Sequence, residues 1–277
     1  MMNDSLRTFL RHPAGVLGLA ILAIVCLAAA LAPLLYPASP WDMTGAPLQA
    51  PGMSGALLGT DTMGRDIASG IMHGARVSLM IGVASTLAAL LVGVTLGAIA
   101  GFAGETADQM IVRFIEIFQT IPNFVLAILL VAILTPSIGT IILAIGLVSW
   151  PPLARLTRVQ VKSIAAREFV QAARCQGLGP MSVLLRHVIP NAISPIIVTG
   201  SMTVASAILI EAALSFMGLG DPNFMSWGYM IGAGRTVIRQ AWWASVFPGL
   251  AILLTAVAIN LIGEALNDAL NPRISRS

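Results

Sequence analysis

Five stretches of this 277-residue chain carry no charged side chain: Ala14–Trp41, Val77–Gly104, Ile117–Ala154, His187–Ile210 and Gln240–Gly263. A membrane crossing takes ~20 apolar helical residues, at ~1.5 Å each, to traverse a ~30 Å hydrocarbon core. Four of the stretches supply one crossing apiece. The third would make a helix of roughly 57 Å, about twice the core thickness. Thr135-Pro136-Ser137-Ile138-Gly139 near its middle has the chemistry of a tight reversal. Two crossings are therefore expected there, six in all, at 14–36, 77–103, 113–134, 138–152, 190–212 and 245–264. The composition agrees, with 57% apolar and 10% charged residues against about a quarter charged in a soluble domain.

An even number of crossings puts both ends on one side. With the ends inside, Arg7, Arg11, Arg113, Arg155, Arg158, Lys162, Arg167, Arg174, Arg186, Arg273 and Arg276 are cytoplasmic, and Arg65, Arg76, Arg235 and Arg239 are outside. The positive-inside rule favours this orientation. Arg7 and Arg11 ahead of an apolar run imitate a signal peptide, but the run is long enough to span and lacks a well-placed small-residue cleavage site. Cys26 falls in a span and Cys175 in a cytoplasmic loop, so no disulfide is expected. An outer loop, 37–76, should end in a short helix at Gly64–His73. A second, 218–244, places Trp227, Trp242 and Trp243 near the outer interface, where amphipathic rings settle. Gly93, Gly97 and Gly101 at i, i+4 and i+8 form a smooth face, suited to packing inside the subunit or to a seam between subunits.

A transporter needs an energy source, and this chain shows none of its own. Ion coupling usually places ionisable groups deep in the membrane; Glu116, Glu211 and Glu264 come nearest, each close to a helix end. A P-loop needs a lysine behind a glycine-rich turn, and the only lysine, Lys162 in Val161-Lys162-Ser163, has no such turn. No hydrolase or zinc-protease motif is present. Asp61, Asp66 and His73 match no metal-ligand spacing; Arg65 satisfied by its acidic neighbours accounts for them better.

The loop 153–187 is basic and contains helical spacing at Phe169, Ala172, Ala173 and Gln176. Gly177 should terminate this helix, Gly179-Pro180 start another, and Pro190 open the fifth span. Two readings follow from the residues alone. The adjacent alanines suit a helix seated in a partner's groove, and the basic surround suits a helix resting on anionic lipid.

Gln171-Ala172-Ala173, Gly177 and Ile189-Pro190 match the spacing of the EAA loop of ABC importer permeases, with Gln171 in place of Glu and His187 in place of the first Ile. Leu58-Gly59-Thr60-Asp61-Thr62-Met63-Gly64-Arg65-Asp66, running on to Gly74-Ala75-Arg76-Val77-Ser78-Leu79, resembles a signature of the dipeptide/oligopeptide/nickel branch. Glu211-Ala212-Ala213-Leu214-Ser215-Phe216-Met217-Gly218-Leu219-Gly220 resembles another, and the end, Asn260–Arg273, is also of that type.

The resemblance implies an all-α integral membrane protein with the type I ABC importer permease fold, in one domain over 1–277 of the bacterial inner membrane. It implies a second homologous permease, two ATPase subunits holding ATP and Mg, and a periplasmic binding protein, with lipid around the chain and no nucleic acid. No cofactor is expected in the chain itself. ATPase coupling falls to Glu168, Gln171, Ala172, Ala173, Gly177 and Pro190. The polar groups of the fifth span, Ser201, Met202, Thr203, Ser206 and Glu211, are candidates for the translocation path, Glu211 being the one better suited to a structural hydrogen bond. Di- or oligopeptides are the expected cargo, with nickel chelates and glutathione as other solutes of the branch. The rival readings are an ion-driven transporter and a membrane scaffold without a pore.

Overall fold

The computed structural model describes residues 8–53 and 55–270; Arg7, Arg273 and Arg276 lie outside them. Among the described residues the regular structure is helical: α1 Pro13–Leu35, α2 Ile67–Phe102, α3 Glu105–Gln119, α4 Asn123–Leu134, α5 Ile138–Ala165, α6 Glu168–Cys175, α7 Pro180–Val183, α8 Ile189–Phe216, α9 Trp227–Gly234 and α10 Trp243–Leu270. Two isolated bridges, Met43–Arg65 and Thr60–Asp66, are the extended pairings present. His12 Nε2 lies 3.3 Å from Asp268 Oδ2, so α1 and α10 meet at one end of the bundle. That end is the terminal face and the opposite end the far face.

The centre of the bundle is a glycine seam. A Cβ on Gly93, Gly97 or Gly101 of α2 would stand 2.8, 2.5 or 2.7 Å from Leu153 Cβ, the Ala154 carbonyl oxygen or the Arg158 carbonyl oxygen of α5. These helices therefore run parallel with their backbones nearly touching, which only small residues permit. The smooth face is filled inside the subunit. Antiparallel α8 packs across the same helix, with Ile208 against Gly82 and Leu90 against Gly200. The outermost of these helices is α1, held to α10 where Gly15 meets Ala265 and Gly18 meets Ala258.

Several boundaries differ from those the sequence suggests. The short helix expected at Gly64–His73 is the first turn of α2, which Asp66 caps by accepting from the Ala68 amide at 2.7 Å. Where the third span is expected, at 113–134, the helix is interrupted: α3 and α4 are bent by 78°. Pro122, lacking an N–H, stands at the break, and Thr120 turns its hydroxyl onto the Ile117 carbonyl at 2.7 Å. The fourth span, expected at 138–152, continues to Ala165 through Pro151 and Pro152. Packing of Ala154, Thr157 and Val161 onto Gly97 and Gly101 outweighs the two donors the prolines remove. Pro190 stands in the first turn of α8, as expected, but the chain is already helical before it. Helix continues from α7 through a π turn, Leu184–Val188, into α8, and such a turn relaxes the ladder where a proline lacks its donor.

Two of the three tryptophans expected at an interface are core residues. Trp227 is 1% exposed and donates its Nε1–H to the Ile71 carbonyl at 2.9 Å. Trp243 donates to the Thr60 carbonyl at 3.1 Å. Each has found the partner that a buried indole N–H requires. Trp242 is half exposed.

Candidate functional site

At the terminal face α6 stands apart from the spans. Arg167 precedes it, and Gly177 ends it with φ +81°, its amide donating to the Arg174 carbonyl at 3.0 Å. Glycine is needed there because that left-handed conformation strains any other residue except Asn. The helix has two unlike sides. Val170 and Ala173 are buried, Val170 in a cluster with Val161, Ile164, Val183 and Val188. Glu168, Phe169, Gln171, Ala172 and Cys175 are exposed. Only one of the two alanines is thus free to meet a partner: Ala173, placed by the sequence on the docking side, faces the chain's own core.

Gln171 has a local task as well. Its Nε2–H donates to the Ala165 carbonyl at 3.0 Å, on the last residue of α5. An ionised glutamate cannot donate, so this tether depends on the amide that replaces the Glu of the EAA pattern.

Beside this surface Asp108 of α3 receives Arg158 and Lys162 of α5. Arg158 grips both carboxylate oxygens, Nη2 reaching Oδ2 at 2.7 Å, and Lys162 Nζ reaches Oδ2 at 3.1 Å. Asp108 lies ahead of the stretch 113–134, outside the spans. The Arg158 hydrogen bond, opposed by desolvation and helped by Lys162, holds its carboxyl down at about 2. The clamp fixes the first turn of α3 to the helix that leads into α6. Sequence reading missed it, although Arg158 and Lys162 at i and i+4 place two cations on one helix face and so call for an acid.

The five polar residues of α8 divide into three environments. Met202 and Ser206 share an exposed face, with the Ser206 hydroxyl pointing back to the Met202 carbonyl at 3.4 Å. Thr203, half-buried beside them, donates to Thr199 O at 2.8 Å. Ser201 donates to Val198 O at 2.7 Å and, like the Met202 side chain, packs where α10 has Gly263. Glu211 is far from any surface, at 1% exposure. It accepts from Ser78 of α2 at 3.1 Å and Ser215 at 2.7 Å, and the Trp227 amide donates to Ser78 Oγ at 3.4 Å. This carboxyl joins α2, α8 and α9.

The far-face signature is a self-locked turn. Asp61 Oδ1 accepts from the amides of Met63 and Arg65 at 2.8 and 2.9 Å. Arg65 lies 4.8 Å over the Trp41 ring, donates to the Tyr229 hydroxyl at 3.2 Å and stands 3.9 Å from Asp61. His73 Nε2 donates to the Tyr36 carbonyl at 3.0 Å. Among the described residues no group of three potential metal ligands is gathered.

Known proteins resemble this chain in sequence and in fold. The family model of the binding-protein-dependent transport system inner membrane component matches residues 93–276. That of the N-terminal TM domain of oligopeptide transport permease C matches residues 1–51. The Di/tripeptide transport system permease protein DppC of Pseudomonas aeruginosa (strain UCBPP-PA14) is 38% identical, over 100% of this chain and 93% of that protein. The Dipeptide transport system permease protein DppC of Alkalihalophilus pseudofirmus is 38% identical, over 98% of this chain and 90% of the relative. The fold is shared with the inward-facing MetNI methionine ABC transporter, at TM-score 0.62 and 15% identity over 73% of this chain and 96% of the other. An amino acid ABC transporter gives TM-score 0.53 at 14% identity, over 70% and 90%. The chain belongs to the family of binding-protein-dependent transport system inner membrane components, as a multi-pass inner-membrane permease subunit of the type I ABC importer fold.

Proposed function

We propose that this permease forms one half of the translocation path of an ATP-driven importer of di- or oligopeptides. The other half is a second, homologous permease. Two separate ATPase subunits bind ATP and Mg and hydrolyse the nucleotide, and a periplasmic binding protein delivers the cargo. Peptide cargo is supported by the relatives named for dipeptides and di/tripeptides.

In this reading the terminal face is cytoplasmic. Support comes from the described cations: Arg11, Arg113, Arg155, Arg158, Lys162, Arg167, Arg174 and Arg186 on that side, against Arg65, Arg76, Arg235 and Arg239 on the other. The observation that carries the mechanism is the two-sided character of α6. Val170 and Ala173 brace it to the bundle, while Glu168, Gln171 and Ala172 are offered outward. A partner that grips the outward side moves the cytoplasmic ends of α5 and α8 with it, because α6 sits between them in the chain. Gly177 and Pro190 serve this reading by ending α6 and by shaping the helix that leads into α8. ATP-driven closure of the partners thus shifts the permease pair between inward-open and outward-open states. The path is lined by the Met202–Ser206 face with Thr203 at its edge, a flexible thioether being suited to cargo of varied shape. Ser201 and Glu211 support that helix from behind.

Reconstitution of both permeases, both ATPases and the binding protein in liposomes tests the proposal. Uptake of a labelled dipeptide should require ATP, the ATPases and the binding protein together. Uptake driven by an ion gradient with the ATPases omitted would contradict it.

A further inference from the structure

From Val83 to Ile99 one face of α2 meets no other described residue closely enough to bury it. Val83, Leu87, Leu91, Thr95 and Ile99 recur along it at helical spacing and are all exposed. Its one hydroxyl, on Thr95, is taken up by the Leu91 carbonyl at 2.6 Å. The stripe is therefore apolar in effect and unsuited to a water-filled path. At the terminal face it runs into a cavity of about 500 Å³ walled by Ile99, Phe102, Leu178, Met181 and Leu184.

Among the described residues the one charged residue lining this cavity is Arg174 of α6. Its guanidinium lies 5.1 Å over the Phe102 ring and, among the described residues, has no hydrogen-bond or ion-pair partner. The ring holds one face of the guanidinium and leaves its N–H edge, a fork suited to two phosphate oxygens, free. Among the described residues no carboxylate lines the cavity. With the second span at 77–103, the position is also that of a headgroup. Ten residues back from Phe102 cover about 15 Å of helix, half of the ~30 Å core, and end near Leu91, on the exposed stripe.

We propose that this cavity binds an anionic phospholipid of the cytoplasmic leaflet. Arg174 takes the phosphate, the glycerol region fills the space between Phe102 and Leu184, and an acyl chain lies along Ile99, Thr95 and Leu91. Basic pockets at the ends of spans on the cytoplasmic side are known sites for such headgroups. Because Arg174 belongs to α6, the lipid braces the element through which ATP is proposed to act. Only the choice of leaflet rests on the proposed orientation.

The test is native mass spectrometry of the complete complex, extracted from nanodiscs of phosphatidylglycerol and phosphatidylcholine. The wild-type complex should retain phosphatidylglycerol several-fold over phosphatidylcholine. Arg174→Gln should abolish the preference, and Ala103→Trp, which fills the cavity, should lower total retention several-fold. Inorganic phosphate at tens of millimolar should displace nothing. Wild-type retention by Arg174→Gln would overturn the proposal. So would loss of the ATPase subunits with the lipid count unchanged, which would make the cavity a protein seat, or displacement by phosphate, which would make it a free-anion site. Lipid counts do not depend on transport, so failure of the functional reading leaves this result interpretable.

Discussion

Ser78 donates to Glu211 at 3.1 Å across 133 residues of sequence, in the buried interior where α2 and α8 cross. With Ser215 on the other carboxyl oxygen, the two serines satisfy the one acid that α8 carries. A membrane interior punishes an unpaired polar group, so this junction fixes the register of the two helices at the far face.

Glu211→Leu should accordingly lower stability by about 1–3 kcal/mol, since it strands the hydroxyls that the carboxyl now receives. Glu211→Gln, whose amide still meets both serines, should cost less. Thermal unfolding of the purified complex reads this, and uptake per folded complex should be unchanged. Lost uptake at full stability would place Glu211 in the path.

The glycine seam makes a sharper contrast. Gly97→Val should fail to give a stable permease, because even a Cβ would press to 2.5 Å on the Ala154 carbonyl oxygen, a backbone atom that cannot swing away. Overpacking of a core costs about 1–3 kcal/mol even where side chains can give. Gly179→Ala should be harmless, since nothing lies within 4 Å of the added carbon. Size-exclusion profiles in detergent separate the two, and a monodisperse Gly97→Val permease would contradict the seam.

Much of this was legible in sequence for a physical reason. Membrane crossing demands long uncharged helices, and that demand leaves a coarse signal which the five uncharged stretches carry. The break at Pro122 and the passage through Pro151-Pro152 were not legible. Both are settled by what the neighbouring helix offers: α5 gains the glycines of α2, and the break between α3 and α4 falls where a donor is missing. Spacing likewise could not distinguish Ala172 from Ala173, because helical periodicity gives a face but not what it faces. The Asp108 clamp joins residues 50 and 54 positions apart, beyond the reach of local pattern.

That clamp carries a pH prediction. The Asp108 carboxyl is held down at about 2, so its contribution is fully present above the ordinary carboxylate value of about 4. It is lost as pH falls from there through about 2. The stability difference between wild type and Asp108→Asn should be flat from pH 5 to 8 and shrink only below about pH 4. A difference that shrinks near pH 6 would mean that another group controls the clamp.

On α8, Met202→Cys and Ser206→Cys in a background lacking Cys26 and Cys175 should react with a water-soluble thiol reagent in at least one nucleotide state. Ala205→Cys, on the buried side, should stay silent. Reaction at 205 alone would put the path on the opposite face of the helix.

The most direct measurement of the central claim is cross-linking from α6. In the same cysteine-free background, single cysteines at Gln171 and Ala172 should form short cross-links to an ATPase subunit in the assembled complex, with yields that change on ATP binding. Val170→Cys and Ala173→Cys, which face the bundle, should form none. Absence of ATPase cross-links from 171 and 172 in every nucleotide state, in a complex that still takes up dipeptide, would contradict the account.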